Sequence, residues 1–503
     1  MSSSGSKIVS HGTIYLAGNI MRRMVSFIML PIYTRYLSPE HYGTLELLSM
    51  VLDFAAILFG LRIAEAVFRF YYDTEDPDQQ NSVISTALAM VGGLNAIAVV
   101  VLVIAAGPIS AAVFGTSGAS RQLAIFSFTL VFQSLTEMVM TYLRAQQRPW
   151  LYVGFSTIKL VVQLSLNIYF VVGRQMAVDG VIMSSLISSV VITIPLLWYT
   201  LSRTGLHFSM EKARAMVGFS APLIITSMIS FYMTFGDRYF LRVFGGGLDE
   251  VGVYALGYRF GFLLSFIVGD PFFGIWNSEK YLVAKQPDAR ERYRDVFLML
   301  TAALTLVMVG ISIYVHDVLR LMSNPEFWGA YIIVPIVMLG YVFQNWSGFS
   351  NLGLLLHSKT GDIATGTAIS AVMITIGYLV LIPAFGGVGA ALATALGFGS
   401  RLVWITLRSE KLYPMKLPWR RATNMMLLGA AAWGLSMLAP DPIIASVAVN
   451  TLIFIAFCAA LVAGPGMLPV QLRRDLARVA MERARWFGML LNRNSGAAAR
   501  PVP

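Results

Sequence analysis

Long apolar segments recur along the whole chain, each about twenty residues in length and separated by polar loops. A helix of this length crosses a hydrocarbon core roughly 30 Å thick. Backbone groups in lipid must be hydrogen-bonded within their own segment, so recurrent apolar runs indicate helices. The pattern therefore predicts an all-α polytopic membrane protein.

About fourteen transmembrane helices are predicted, and most of the loops between them are short. The predicted spans cover residues 13–34, 43–61, 83–106, 122–143, 150–172, 178–200, 216–235, 252–275, 296–315, 331–355, 363–383, 387–407, 423–439 and 443–464. Because the number of spans is even, both termini are expected on the same side of the membrane.

Lysine and arginine are distributed unequally between the two sets of loops. The termini and the loops on their side carry about four times as many of these residues as the loops on the other side. Short loops rich in Lys and Arg stay in the cytoplasm, and this sets the orientation of a multi-pass protein. Both termini are therefore predicted to be cytoplasmic.

The composition narrows the class of protein further. Of the 503 residues, 57% are hydrophobic and 13% are charged, whereas soluble proteins carry roughly 25% charged residues. The cytoplasmic loops account for the net charge of +11, so no nucleic-acid partner is expected.

One cysteine, Cys458, excludes an internal disulfide, and five scattered histidines predict no metal site. No G-x-x-x-x-G-K-S/T sequence is present, which argues against ATP hydrolysis, and no cofactor is expected.

Several cations lie inside predicted spans, where a charge costs about 2.5 kcal/mol or more unless it faces protein or water. Arg22 and Arg23 lie near the middle of the first span, Lys159 near the middle of the fifth and Arg259 in the periplasmic half of the eighth. These four are the candidate substrate-binding cations, because such groups bind phosphate oxygens. Neighbouring helical residues point about 100° apart, so Arg22 and Arg23 cannot both point at one site. At least one of the two is expected to face a cavity. Arg401, nearer a cytoplasmic end, is expected to be an interfacial anchor.

Charge pairing within the protein is the alternative explanation for these cations. Asp53 lies in the second span at a depth similar to that of Arg22 and Arg23, and Glu137 in the fourth span could pair with Lys159. Asp53 could instead be a proton-coupling carboxylate, because buried acids can titrate near neutral pH. The sequence is compatible with both roles.

Two other groups of charges are explained locally. Arg62, Glu65 and Arg69 lie at i, i+3 and i+7 on one helix face, which favours an internal ion-pair ladder. Asp237-Arg238 is expected at a helix end, where local pairing accounts for both charges. A functional role is therefore assigned to neither group.

Short sequences recur six spans apart and indicate an internal repeat. Ser26-Phe-Ile-Met29 is echoed by Ser230-Phe-Tyr-Met233, and Tyr42-Gly43-Thr44 by Val251-Gly252-Val253. The repeat predicts two pseudosymmetric six-helix lobes, residues 1–200 (helices 1–6) and 201–408 (helices 7–12). Two further helices are predicted in 409–464, followed by a basic amphipathic cytoplasmic tail in 465–503 that suits an anionic leaflet.

Three stretches carry a resemblance to a known family. They are Leu30 to Glu46 (Leu-Pro-Ile-Tyr-Thr-Arg-Tyr-Leu-Ser-Pro-Glu-His-Tyr-Gly-Thr-Leu-Glu), Phe235 to Leu241 (Phe-Gly-Asp-Arg-Tyr-Phe-Leu) and Val251 to Arg259 (Val-Gly-Val-Tyr-Ala-Leu-Gly-Tyr-Arg). The chain resembles the polysaccharide-transport branch, which includes the oligosaccharide flippases, of the multidrug/oligosaccharidyl-lipid/polysaccharide exporter superfamily. Helix number, charge pattern and lobe spacing extend this resemblance over nearly the whole chain.

The resemblance implies a fold, a cargo and a location. Two lobes are expected to enclose a central cationic cavity that opens alternately to either side of a bacterial inner membrane. The implied cargo is an oligosaccharide on undecaprenyl pyrophosphate, moved from the cytoplasmic to the periplasmic leaflet for exopolysaccharide, capsule or O-antigen synthesis. The expected partners are this substrate, membrane lipids, and the polymerase and glycosyltransferases of the same pathway. The protein is expected to be a monomer and not an enzyme.

Three alternatives to this function stay open. A peptidoglycan lipid II flippase shares the helix number, the cationic cavity and the type of substrate. A multidrug antiporter of the same superfamily is less compatible, because a cavity for cationic drugs should be acidic. A polysaccharide polymerase or ligase should have a large periplasmic loop, whereas every predicted periplasmic loop is short.

Overall fold

The computed structural model describes residues 28–60, 62–464, 467–469 and 473. All regular secondary structure in these residues is helical, which confirms the predicted all-α class. Arg22, Arg23 and nearly all of the predicted amphipathic tail lie outside the described residues.

Residues 28–36 are helical and are called α1. The helices that follow are α2 (Pro39–Gly60), α3 (Ile63–Tyr72), α4 (Pro77–Ile104), α5 (Ala106–Phe114), α6 (Ser120–Ala145), α7 (Pro149–Asn167), α8 (Ala177–Thr204), α9 (Met210–Phe244), α10 (Leu248–Leu264), α11 (Asp270–Val283), α12 (Ala289–Met322), α13 (Ala330–Ser350), α14 (Leu352–Leu356), α15 (Thr360–Leu412), α16 (Trp419–Ser436) and α17 (Ile443–Ala463). Single π-helical segments, Ile168–Gly173 and Ser265–Gly269, follow α7 and α10.

Eleven helical segments of the described chain are long and apolar enough to cross a membrane, which confirms a multi-pass membrane protein. Three features reconcile this number with the fourteen predicted spans. Most of predicted span 13–34 lies outside the described residues. Predicted spans 363–383 and 387–407 are joined in α15. The helix α16, which begins with Trp-Arg-Arg, is not among the eleven.

The two halves of α15 meet at a break that a carboxylate caps. Gly386 has φ 53° and ψ −130°, a conformation that is essentially restricted to glycine. The Gly387 amide donates to Glu250 Oε1 at 2.6 Å, and the Gly246 amide donates to the other carboxylate oxygen. Glu250 therefore satisfies one backbone donor at the start of the second half of α15 and another between α9 and α10.

The first of two compact units comprises Met1–Tyr258, Leu319–Ile333 and Ala371–Thr394. A cluster of buried apolar side chains from α3, α4, α6 and α8 forms its core, including Val67, Ile84, Val139, Leu143 and Leu196. Membrane helices gain little from hydrophobicity against lipid, so this close packing is what holds them together.

The second unit comprises Arg259–Val318, Val334–Ser370 and Ala395–Pro503. Its helices α12, α16 and α17 share a buried apolar cluster that includes Leu298, Ile313, Met425 and Phe457. The rings of Trp276 and Phe349 stack with centroids 5.2 Å apart. The lobe boundaries at residues 200 and 408 stay a prediction.

Asp317 is a buried carboxylate that joins α12 to α17 in the second unit. It is 2% exposed, and its two oxygens accept hydrogen bonds from Ser446 Oγ at 2.8 Å and Asn450 Nδ2 at 2.9 Å. Hydrogen bonds to a charged acceptor are the strong ones among apolar helices. This contact therefore ties the predicted last helix to the rest of the second unit.

The variant Asp317→Ala is expected to lower the free energy of unfolding by about 2 kcal/mol, because two buried donors lose their acceptor. Asp317→Asn retains one acceptor oxygen and should lose less. Thermal unfolding of the purified protein in detergent measures both effects. Asp288→Ala removes an exposed ion pair with Arg292 and is the matched control, with little expected change. Equal stability of Asp317→Ala and the original protein would contradict this role.

Candidate functional site

The spanning segment Pro39–Tyr72 is divided by a break between Gly60, where α2 ends, and Ile63, where α3 begins. This break coincides with the end of the second predicted span, 43–61. Arg62 has a left-handed backbone, φ 54° and ψ 31°, which costs about 1 kcal/mol in a residue other than glycine. Its carbonyl oxygen accepts hydrogen bonds from Glu65 N at 3.2 Å and Ser220 Oγ at 3.4 Å. The break therefore places polar groups within a spanning segment, and the Arg62 carbonyl oxygen at the break is hydrogen-bonded.

Side chains at the break only partly follow the predicted ion-pair ladder. Arg62 Nη2 lies 2.5 Å from Glu65 Oε1, so this pair is confirmed. Arg69 instead has its guanidinium 4.8 Å from the centre of the Phe219 ring, a cation–π distance. The ion pair stays about two-fifths exposed on each side, so it is accessible from the adjoining cavity.

A cavity of about 310 Å³, called the acidic cavity, adjoins this break. Its charged lining consists of Asp53 from α2, Arg62 and Glu65 at the break, and Glu137 from α6. Phe231 and Phe235 of α9 form part of its apolar wall. Three carboxylates and one guanidinium give this lining a net negative charge.

A cavity of about 400 Å³, called the cationic cavity, lies between α6 and α7 in the same unit. Its charged lining consists of Arg144, Lys159 and Glu137. Arg144 is positioned by a 2.9 Å hydrogen bond from its Nη2 to Thr141 Oγ1. Two cations and one carboxylate give this lining a net positive charge, and Gln133 and Gln163 add amide donors and acceptors.

The structure brings three of the predicted residues together. Asp53 and Glu137 line the acidic cavity, Lys159 and Glu137 line the cationic cavity, and Glu137 is common to both. Arg259 lies half-buried in α10, at the start of the second unit, and lines neither of these two cavities. Arg22 and Arg23 lie outside the described residues, so their orientation stays a prediction.

Asp237 and Arg238 form a buried charge cluster that the sequence did not reveal. The pair was expected at a helix end, but it lies inside α9, and that expectation is wrong. Arg238 Nη1 donates to Asp237 Oδ1 at 2.6 Å, and Tyr254 OH donates to Asp237 Oδ2 at 2.6 Å. The guanidinium also lies 4.3 Å from the centre of the Tyr258 ring, and its Nε is 3.9 Å from Glu46 Oε2. The motif residues Glu46, Asp237, Arg238, Tyr254 and Tyr258 thus meet in one place.

The two echoed glycines also meet, at a crossing of α2 and α10. A Cβ added at Gly43 would lie 2.0 Å from the Leu248 carbonyl oxygen, and one added at Gly252 would lie 2.0 Å from the Pro39 carbonyl oxygen. Leu248 and Pro39 each precede a glycine of their own helix by four residues, so the contact is reciprocal. Only glycine permits this approach, which explains why both echoed motifs contain it.

The variant Gly43→Ala is expected to lower the free energy of unfolding by about 1–3 kcal/mol, because the added methyl group forces the two backbones apart. Thermal unfolding and the yield of folded protein measure the effect. Gly93→Ala in α4 is the matched control, because its added Cβ meets no atom of the described chain within 4 Å. Equal stability of the two variants would contradict the crossing.

Metal binding has no obvious place in the described residues. Among them, no group of three or more His, Cys, Asp or Glu side chains could hold a metal ion.

Sequence comparison identifies related proteins. A family model described as "Polysaccharide biosynthesis protein" matches residues 32–324. A protein of the Lsg locus of Haemophilus influenzae is 23% identical over 295 residues, which are 56% of this chain and 69% of that protein.

Structural comparison identifies the fold. A structure described as lipid II flippase MurJ in an inward closed conformation matches with a TM-score of 0.72 and 13% identity, over 89% of this chain and 98% of that chain. An inward-facing multidrug resistance MATE family transporter of the MOP superfamily matches with a TM-score of 0.61 and 15% identity, over 78% and 95% of the two chains. The helices therefore have a MurJ- and MATE-like arrangement.

Proposed function

The chain belongs to the family of polysaccharide biosynthesis proteins, and from this premise we propose that it is a flippase for lipid-linked oligosaccharide. The family match and the shared fold confirm its resemblance to the polysaccharide-transport branch of the exporter superfamily. The proposed cargo is an oligosaccharide on undecaprenyl pyrophosphate. It moves from the cytoplasmic to the periplasmic leaflet of a bacterial inner membrane and supplies exopolysaccharide, capsule or O-antigen synthesis.

The cationic cavity is the observation that supports this proposal most directly. It is a polar space among helices long and apolar enough to span a membrane. The Lys159 ammonium and the Arg144 guanidinium suit the negative pyrophosphate, and the amides of Gln133 and Gln163 suit sugar hydroxyls. A polyprenyl tail is apolar and stays in the lipid while the headgroup crosses. Such a cavity therefore combines the chemistry needed for each part of the headgroup.

The proposed mechanism is alternating access between lobes 1–200 and 201–408. Arg22 or Arg23 adds positive charge near midplane, and Arg259 contributes from the second lobe when the headgroup passes it. Asp53 and Glu137 either balance these cations or couple transport to an ion. No bond is made or broken, so the protein works as a transporter with no cofactor. In this scheme the protein acts as a monomer. The glycosyltransferases of the pathway make its substrate, and the polymerase uses its product.

A gene deletion tests the proposed function. Without the protein, surface polymer should be lost, and lipid-linked oligosaccharide should accumulate where membrane-impermeant glycosidases cannot reach it. Mass spectrometry of lipids extracted before and after glycosidase treatment of intact spheroplasts measures both. Loss of polymer without accumulation of this intermediate would contradict the proposal and indicate an earlier step of synthesis.

A lipid II flippase is the second candidate, and the fold match over 89% of this chain supports it. Expression in cells depleted of their own lipid II flippase separates the candidates. Survival of those cells would favour lipid II, whereas continued lysis together with restored polymer in the deletion strain favours the oligosaccharide. A multidrug antiporter shares the fold, but two cations in a cavity disfavour cationic drugs.

A further inference from the structure

The second compact unit contains a polar cavity of about 270 Å³ that the proposed mechanism does not use. Its lining comes from three places: the junction between α10 and α11, residues 344–351 in and just after α13, and the second half of α15. The six amide and charged side chains of its lining define what is called the amide cavity: Asp270, Asn277, Gln344, Asn345, Asn351 and Arg401. Arg401 was expected to be an interfacial anchor, and the structure instead places it in this lining.

Local structure around the amide cavity is unusual. The π-helical segment Ser265–Gly269 leads into it, and such segments are frequent at functional sites. A Cβ at Gly269 would lie 2.6 Å from Asn345 Oδ1, so glycine is needed for this approach. Asn345 is 5% exposed, and its Nδ2 donates to the Tyr341 carbonyl oxygen at 2.7 Å, which fixes the direction of the amide.

Three polar atoms of the lining lack an internal partner. Gln344 Oε1, Asn351 Oδ1 and Arg401 Nε are buried, and none has a hydrogen-bond partner among the described residues. Buried polar atoms are nearly always hydrogen-bonded, because leaving one unpaired costs about 1–3 kcal/mol. Two free acceptors and one free donor on the same cavity therefore indicate a polar ligand that both donates and accepts.

The lining also restricts the charge and the size of that ligand. Asp270 and Arg401 are the two charged members, so the net charge is close to zero, which disfavours a pyrophosphate. Hydroxyl groups both donate and accept, and the Phe273 ring in the lining offers an apolar face. The volume is just below the range of roughly 300–1,000 Å³ typical of small-molecule sites, which suits a single sugar ring.

We propose that the amide cavity binds one neutral sugar residue of the oligosaccharide cargo, an inference that rests on the proposed flippase function. Gln344 and Asn351 accept from sugar hydroxyls, and Arg401 donates to them. The cationic cavity then recognises the charge of the cargo, and the amide cavity recognises its glycan. Discrimination between neutral hexoses comes from the amide cavity, because these sugars differ from one another in the orientation of their hydroxyl groups.

Binding of two lipids to the full-length protein in nanodiscs tests this proposal. The probes are undecaprenyl pyrophosphate carrying one glucose and undecaprenyl pyrophosphate without sugar, and native mass spectrometry measures the Kd of each. Arg401→Gln and Gln344→Leu should weaken binding of the glucosylated lipid by about tenfold and leave the bare lipid unchanged. Arg408→Gln is the matched control on α15, because Arg408 lies 4.6 Å from the Trp404 ring centre and does not line the cavity.

The possible outcomes distinguish failure of the proposed sugar site from failure of the proposed flippase function. A tenfold loss confined to the glucosylated lipid, in either correctly folded variant, supports a sugar site. Equal loss for both lipids, an unchanged preference in the variants, or equal binding of both lipids by the original protein would overturn the sugar site but leave a flippase in place. Failure of the original protein to bind either lipid would overturn the proposed function itself.

Discussion

Lys159→Glu is expected to abolish polymer export while leaving the protein in the membrane. The change gives the cationic cavity two carboxylates, Glu137 and the new one, against Arg144 alone. Opposite unit charges 4 Å apart gain about 4 kcal/mol at an effective dielectric constant near 20, and reversal turns this gain into repulsion. Headgroup binding should therefore fall by more than about a hundredfold. Surface polymer per cell, normalised to the amount of protein in the membrane, measures the effect.

Two control variants separate charge from structure in that experiment. Lys159→Arg keeps the positive charge and should retain most of the export. Lys285→Glu reverses an exposed lysine between α11 and α12 and should have no effect. Normal polymer output from a stably expressed Lys159→Glu protein would contradict a cargo-binding role for this cavity.

Arg238→Leu is expected to lower the free energy of unfolding by about 3–5 kcal/mol, because it leaves a buried carboxylate without its cation. Arg238 is 2% exposed and Asp237 is fully buried, so water cannot replace the lost charge. The Tyr254 hydroxyl and the backbone amide of residue 238 still donate to Asp237, but two neutral donors replace little of the ion pair. Thermal unfolding in detergent measures the loss.

A second substitution tests the physical cause of that loss. The double variant Asp237→Asn with Arg238→Leu should be more stable than Arg238→Leu alone, because it removes the unpaired charge. Arg292→Leu breaks an exposed pair and should cost about 1 kcal/mol or less. A double variant less stable than Arg238→Leu would contradict the charge-pairing explanation.

The spanning helices could be predicted from the sequence because lipid dictates their length and their apolar composition. The predicted spans 178–200 and 443–464 lie within or almost coincide with α8 and α17. The break at Gly60–Arg62 was missed, because the apolar run continues up to it and Arg62 was attributed to an ion-pair ladder. The signals available were the glycine at position 60 and the change from an apolar to a charged segment.

The candidate sites were less predictable, because they depend on contacts between residues far apart in the chain. Asp53, Glu137 and Lys159 could be proposed because charges stand out inside apolar spans. Arg401 was assigned to the membrane interface, because the amide side chains that share its cavity, such as Asn277 and Asn345, come from other helices. These amides are uncharged, so they do not stand out in the sequence of an apolar span.

The buried pair Asp237-Arg238 was misjudged for the same reason. Glu46 and Tyr254 reach it from α2 and α10, and no local pattern reveals their approach. One signal was available, since all of these residues belong to the motifs that carry the family resemblance. Motif residues that recur without a catalytic pattern can therefore indicate a structural cluster.

Transport of lipid-linked oligosaccharide by the purified protein tests the central claim most directly. Proteoliposomes containing the original protein, Lys159→Glu or Lys285→Glu are loaded with undecaprenyl-pyrophosphate-linked oligosaccharide, and its appearance in the opposite leaflet is followed with an impermeant glycosidase. The proposed function predicts rapid movement with the original protein and Lys285→Glu, and only the rate of protein-free liposomes with Lys159→Glu. A protein-free rate for the original protein, or undiminished movement with Lys159→Glu, would contradict it.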